Sequence, residues 1–329
     1  MVAGTFIVGI DTNGDGDYAD SGEDVSSSLR AAQGINITRG RDQEREIAPA
    51  RAGTASYTLD NRSGTYKPGT AYDQGQKSRI TANYSATLYP LFEGRIEEFA
   101  RHAQRDGTPE SQSVAVKLIG PLSLLANRRG LSTQVYTNID TGTAIQHVLE
   151  AAGLTSSDWS LDTGKTTLLY WWLDPSDTLM DALNAIVATE GPGAAVYEGH
   201  GSNVGKVIFK NRHAVATETV STAVQATFRG TGTEPLMSGQ FGYNDGQRDR
   251  INSASCSIYV RATDSVAVLW TYGRTVTLAA GESQIFEVRY SSRGPFTGAL
   301  TPVAATDYTV SAGSLTAVSL NRKIGRAHV

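Results

Sequence analysis

The chain has 329 residues, with 29 Lys and Arg against 33 Asp and Glu, and a net charge of −4. That balance leaves no basic face for nucleic acid, and the single cysteine, Cys256, excludes an internal disulfide and any cysteine-based zinc site. No stretch approaches the roughly 18 to 20 apolar residues that cross a bilayer, and Met1–Asp11 lacks the basic start of a signal peptide.

In chain order, Thr5–Asp11 alternates weakly, with Phe6, Val8 and Ile10 on one face, and predicts a first strand. An acidic loop follows. Asp11, Asn13 and Asp15 have the one-three-five spacing of an EF-hand calcium loop, with Gly16 at position six. Position twelve is Gly22, and the carboxylate needed there, Glu23, comes one residue late. A tight turn and a weak structural calcium site made from Asp11, Asn13, Asp15, Asp17 and Glu23 are both open readings. No other cofactor is expected.

Residues 34–68 predict a β-hairpin. Ile35 and Ile37 share one strand face, and Ala55, Tyr57 and Leu59 share another. Between the strands lies a charged knot of Arg39, Arg41, Asp42, Glu44, Arg45 and Glu46. Asp60–Gly64 suits a turn, and Thr65–Tyr66 a last short strand before Pro68. Further strands are expected at Gly75–Thr87, Leu91–Phe99 and Ser113–Ile119, with His102–Gln112 as an exposed loop. Many short strands with regular turns favour an antiparallel barrel or sandwich.

The character changes at Gly120-Pro121. Short helical patterns cover Leu122–Asn127, Thr143–Ala152 and Thr178–Thr189, the last with Ser176 or Asp177 as its N-cap. Thr166–Leu173, carrying Trp171 and Trp172, reads as a strand, and Ala194–Glu198 pairs with Lys206–Lys210 as a hairpin. From about Ala214 the pattern is β again: Thr217–Phe228, Ile251–Arg261, Ser265–Leu269, Ser283–Tyr290 and Tyr308–Leu320. Cys256 lies in an alternating run and is expected as a buried apolar filler. The final IGRAHV is the translation of the adapter-like codons ATC-GGA-AGA-GCA-CAC-GTC. Residues 323–329 are therefore expected to be sequencing read-through, with the natural chain continuing past Arg322.

Catalysis needs a convergent set, and none is legible. His102, His147, His200, His213 and His328 show no metal-ligand spacing. No nucleophile elbow, P-loop, H-E-x-x-H or dinucleotide fingerprint is present. Glu97 and Glu98 are adjacent on a strand and point to opposite faces, so they cannot form a glycosidase pair. The same alternation sends one of Trp171 and Trp172 to a core and the other to a surface. An enzyme is not expected.

The ordered series IDTNGDGDYADSGEDV, ITRGRDQ, ARAGTASYTLDNRSGTYKPG and YPLFEGRIEEF, followed by the helix-strand segment Thr143–Arg212, resembles the tail-tip and baseplate-hub (minor tail) proteins of tailed bacteriophages, as in actinobacterial siphophages. The resemblance covers Val8–Arg212 well and the remainder loosely. It implies a mainly β (α+β) chain with three parts: a β-barrel hub-like domain at 1–120, a small α/β domain at 121–215, and an incomplete β-barrel or sandwich domain at 216–322. It also implies a homotrimeric virion structural protein, made in the host cytoplasm and contacting the distal tail protein, tail tube and tape-measure protein. The knot Arg39–Glu46 is then the expected partner contact. The alternatives are a distal tail ring protein, a secreted calcium-dependent carbohydrate-binding module motivated by the acidic loop and the tryptophan pair, and a peptidoglycan hydrolase.

Overall fold

The computed structural model describes residues 5–39, 49–102, 112–129 and 134–224, with 265, 268, 270–286 and 301–314 of the C-terminal third. The fold is mainly β. Its centre is a six-stranded antiparallel sheet of order β1-β4-β5-β6-β3-β2. The strands are β1 (Thr5–Ile10), β2 (Asn36–Thr38), β3 (Thr54–Asp60), β4 (Lys77–Tyr84), β5 (Thr87–His102) and β6 (Ser113–Ile119). Alternation places one face of each strand inside. Ala55, Tyr57 and Leu59 lie opposite Leu118, Val116 and Val114, and all six are buried. Full burial of a Val or Leu side chain such as these contributes about 1.5–3 kcal/mol.

The sheet curls into a half-barrel, and β5 supplies the bend. Its pairing shifts register between Ile80 and Thr81 of β4 and again between its own Ile96 and Glu98, which leaves Leu91 and Glu97 as bulged residues. An extra residue on one strand bends it and increases its twist. The curl brings Arg39, at the end of edge strand β2, to the Leu91 carbonyl at 3.0 Å.

A second core begins where β6 ends. Its elements are α1 (Ser123–Ala126), β7 (Tyr136–Asp140), α2 (Thr141–Ala151), β8 (Trp159–Leu161), β9 (Thr167–Trp171), α3 (Leu179–Glu190), β10 (Ala195–Glu198) and β11 (Val207–Lys210). β10, β11 and β8 form one small sheet, with β8 parallel to β11, while β7 and β9 form another. Leu122, Leu125, Ile145, Leu149, Leu179 and Phe209 fill the interior. α2 stops at Gly153, whose φ of 80° is the left-handed conformation glycine adopts freely.

Several expectations are corrected. Thr65–Tyr66 forms no strand. Instead the Asn61 side chain accepts the Tyr66 N–H at 2.9 Å and donates to its carbonyl at 3.3 Å, so one amide group does the work of a ladder partner. The cap of α3 is Thr178, in a reciprocal capping box with Asp181, and not Ser176 or Asp177. The start of the expected strand Thr217–Phe228 is helical, in α4 (Ala214–Thr217) and α5 (Thr219–Thr222), and residues 225–228 lie outside the described residues. β7 and β8, three to five residues long, were too short to show a period. The described residues 283–286 and 308–314 hold no strand beyond an Ala304–Tyr308 bridge. Cys256, His328 and the read-through segment lie outside the described residues.

Candidate functional site

The acidic loop is a succession of side-chain-to-amide turns. The buried Asp11 carboxylate accepts the N–H groups of Gly14 at 2.5 Å and Gly16 at 3.1 Å. Buried Glu23 accepts from the Thr12 amide at 2.8 Å, the Thr12 hydroxyl at 3.2 Å and the Asp20 amide at 3.3 Å. The expected calcium set is therefore split. Asp11 and Glu23 hold the loop through its amides, and Asp15 and Asp17 lie beside Asp20, which the EF-hand spacing left out. One oxygen from each of these three exposed carboxylates lies within 4.8 Å of the others. Asn13 donates to Asp15 at 3.0 Å and to Asp20 at 2.6 Å. Partial desolvation, followed by the charges of Asp15 and Asp17, pushes the Asp20 carboxyl above its usual range. Three carboxylates supply about half of the oxygens that calcium takes.

Tyr18 ties this loop back to the sheet. Its ring packs on Gly9, the Arg79 guanidinium lies 4.3 Å from the ring centroid, and Arg79 grips Glu93 through two N–H groups at 2.7 Å. The Tyr18 hydroxyl is buried and, among the described residues, makes no hydrogen bond of ordinary geometry, though Glu93 lies close to it. Burial, then the Glu93 charge, pushes the phenol far above its usual range. Tyr18 and Arg79, with Ile7, Gly9, Asp24 and Thr81, line a cleft of about 130 Å³.

Of the expected contact residues, Arg39 is bound to Leu91, and Arg41, Asp42, Glu44, Arg45 and Glu46 lie outside the described residues. A different surface stands out. Ile80–Phe92, the β4–β5 hairpin, contains no charged residue. Register places Phe6, Ala82 and Tyr89 in one row, with Tyr84 on the same face and Leu88 on the opposite one. Phe6, Tyr84, Leu88 and Tyr89 are 44–56% exposed, so the hairpin end presents apolar surface on both faces. Its turn residues Ser85 and Ala86 both have positive φ, 49° and 62°, without the glycine or asparagine such turns prefer.

The histidines are dispersed. His147 stacks on Tyr136 at 4.1 Å and lies 3.2 Å from Glu150, while His200 and His213 are exposed. Glu98 pairs with Lys117 at 2.5 Å, and Glu97, at the bulge, faces solvent. Trp171 enters the second core and Trp172 stays half-buried. An open polar cleft of about 380 Å³ is lined by Asp162, Thr163, Lys165, His213, Thr217 and Glu218, among others.

Two buried glutamates escaped the sequence reading. Glu190, at the end of α3, accepts the Thr141 hydroxyl at 2.7 Å and the amides of Lys165, Thr166 and Arg212. Burial alone would raise it, but the Thr141 hydroxyl and the three amides outweigh burial and hold it below the usual range. Among the described residues, Glu198, at the end of β10, accepts the amides of Gly53 at 3.0 Å and Leu122 at 3.1 Å. Burial dominates there, and the carboxyl is pushed up to about 7. The available signal was alternation, since Glu198 shares a strand face with buried Val196. Among the described residues, no helix is long and apolar enough to cross a membrane.

No protein-family model matches the chain, and no curated protein matches it in sequence. Solved structures do resemble it. The 43 kDa tail protein of prophage MuSo2 from Shewanella oneidensis has a TM-score of 0.39 at 11% identity, over 63% of this chain and 53% of that one. A tail protein from Neisseria meningitidis MC58 has a TM-score of 0.39 at 9% identity, over 62% and 50%. The E. coli c3393 protein, described as a type VI secretion component structurally similar to the T4 tail proteins gp27 and gp5, has a TM-score of 0.33 at 13% identity, over 56% and 48%. The matched part of this chain thus spans about half the length of each.

Proposed function

We propose that this chain is a structural protein of a phage tail tip, a baseplate hub that works by assembly and not by catalysis. The observation that carries the reading is the curved antiparallel sheet, built from the segments of the tail-tip resemblance, whose charge-free hairpin exposes Tyr84, Tyr89 and Leu88 on its two faces. Apolar surface on both faces of a projecting hairpin is stable when buried between subunits. A second copy of the chain is the occupant, in a closed ring. The knot Arg39–Glu46 contributes further pairing across subunits in this reading.

Native mass measurement of the purified chain tests the proposal. A trimer is expected, and Tyr84→Asp with Tyr89→Asp is expected to shift it to monomer without unfolding it. A hexamer identifies a distal tail ring protein instead. A wild-type monomer at micromolar concentration overturns the ring reading, and a trimer untouched by charge reversal at Arg41 and Arg45 removes the knot from the interface.

A further inference from the structure

The described residues of the C-terminal third hold an aromatic cluster that belongs to neither core. Trp270 and Tyr272 lie two positions apart, and the chain then turns back at Ala279–Glu282. Two bonds close that turn: the Glu282 amide donates to the Ala279 carbonyl at 3.1 Å, and the Glu282 carboxylate accepts the Ala279 amide at 3.0 Å. Gly281, with a φ of 83°, takes the third position, where a type II turn needs a positive value. The return brings the Phe286 ring to 4.8 Å from that of Tyr272 and 6.0 Å from that of Trp270, while Trp270 and Tyr272 stand 5.8 Å apart. Centroid separations in this range are those of attractive aromatic pairs, so the three rings hold one another in place. A cage for a small cation needs a gap between its rings, and these rings touch. All three remain 39–44% exposed. Other exposed apolar side chains, such as Leu169 and Val224, belong to no aromatic cluster among the described residues.

A closed ring of three or more identical chains is joined head to tail, with one patch of each chain meeting a different patch of the next. The tail-ring reading assigns the β4–β5 hairpin to one side of that contact and leaves the other side open. The other side has to be apolar, poor in charge and anchored by rigid aromatic groups, because interface cores lose charged residues and binding energy concentrates in side chains such as Trp and Tyr. The cluster meets these conditions. Residues 270–286 hold two charged side chains, Arg274 and Glu282, and the second is used within the turn. Ile80–Phe92 holds none, so the hairpin brings no charge to be desolvated.

We propose that the Trp270–Tyr272–Phe286 cluster is the seat for the β4–β5 hairpin of a neighbouring copy, so that each chain contributes one finger and one seat to the ring. The inference rests on the tail-ring reading and names the second half of its contact. Tyr84, Leu88 and Tyr89 at the hairpin end then lie against the three rings of the next chain.

Native mass measurement of the whole chain, with one variant carrying a mass tag, tests the pairing. Tyr84→Asp with Tyr89→Asp removes the finger, and Trp270→Asp with Phe286→Asp removes the seat. Each variant alone is expected to lose the ring and run as a monomer. Mixed, they are expected to give a heterodimer of one copy each, because the intact finger of one meets the intact seat of the other and nothing continues the ring. A ring that survives the seat substitutions overturns the pairing and leaves the ring reading standing. That includes a ring whose melting temperature alone falls, since the cluster then serves its own chain. A mixture that stays monomeric also overturns the pairing. A wild-type monomer removes the ring reading itself, and the pairing with it. Should the seat variant not fold, a photo-crosslinker at Tyr89 in an otherwise unaltered chain decides. Crosslinks from one copy to residues 270–286 of the next are expected, and crosslinks confined to other segments overturn the proposal.

Discussion

Glu190 and Glu198 sit eight positions apart in sequence, in the same α/β core, and both are buried, yet their surroundings do opposite things to them. Glu190 closes the end of α3 amid four donors, one of them a hydroxyl that can rotate to suit. Glu198 crosses to a neighbouring core, where its carboxylate accepts two backbone amides and sits closely against Gly53 and Gly120. Burial is the shared cost. At Glu198 desolvation outweighs two amide donors, and at Glu190 the hydroxyl and amide donors outweigh desolvation. The first region is thus built around a charge, and the second around a carboxyl that is easier to keep neutral.

The largest expected effect comes from crowding the second region. Gly120→Ala puts a methyl group onto the Glu198 carboxylate, and should cost about 3 kcal/mol in denaturant unfolding. Next is Glu190→Gln, which turns an NH₂ toward amide donors and should cost about 2 kcal/mol at neutral pH. The two regions also differ in slope. Because Glu190 is held low, its contribution is present above the unfolded carboxyl value near 4.5 and is lost as pH falls through its folded value. Melting curves across pH should show Glu190→Gln flattening the acid limb alone; equal flattening of the alkaline limb would break the distinction. Smallest is Thr178→Ala, which removes the capping box of α3 far from either carboxyl group. It should lower stability by about 1 kcal/mol with both pH slopes unchanged.

How much of this was legible in the sequence follows from the range of each interaction. Period-two alternation at Ala55–Leu59 and Val114–Leu118 announced β3 and β6, because one face of each is buried. The apolar spacing of Ile145, Val148 and Leu149 announced α2 in the same way. The Thr178 cap was missed by one or two positions, since Ser176, Asp177 and Thr178 are all competent and only the seating of α3 selects among them. In the acidic loop, residue types suggested ligands, but Asp11 and Glu23 were taken up by the amides of the loop that they close. Asp20 entered the exposed trio because the loop folds back, which no linear spacing shows.

By itself the sequence determined the longer strands and helices and their order, which rest on neighbours within a few positions. Tertiary structure alone decided the strand order β1-β4-β5-β6-β3-β2, the bulges that curl β5, and the row of Phe6, Ala82 and Tyr89. It also decided the fate of Glu198, whose partners Gly53 and Leu122 lie 145 and 76 residues away in the chain. A carboxyl group's ionisation depends on the donors and water that surround it in space, and those are fixed only when the two cores meet.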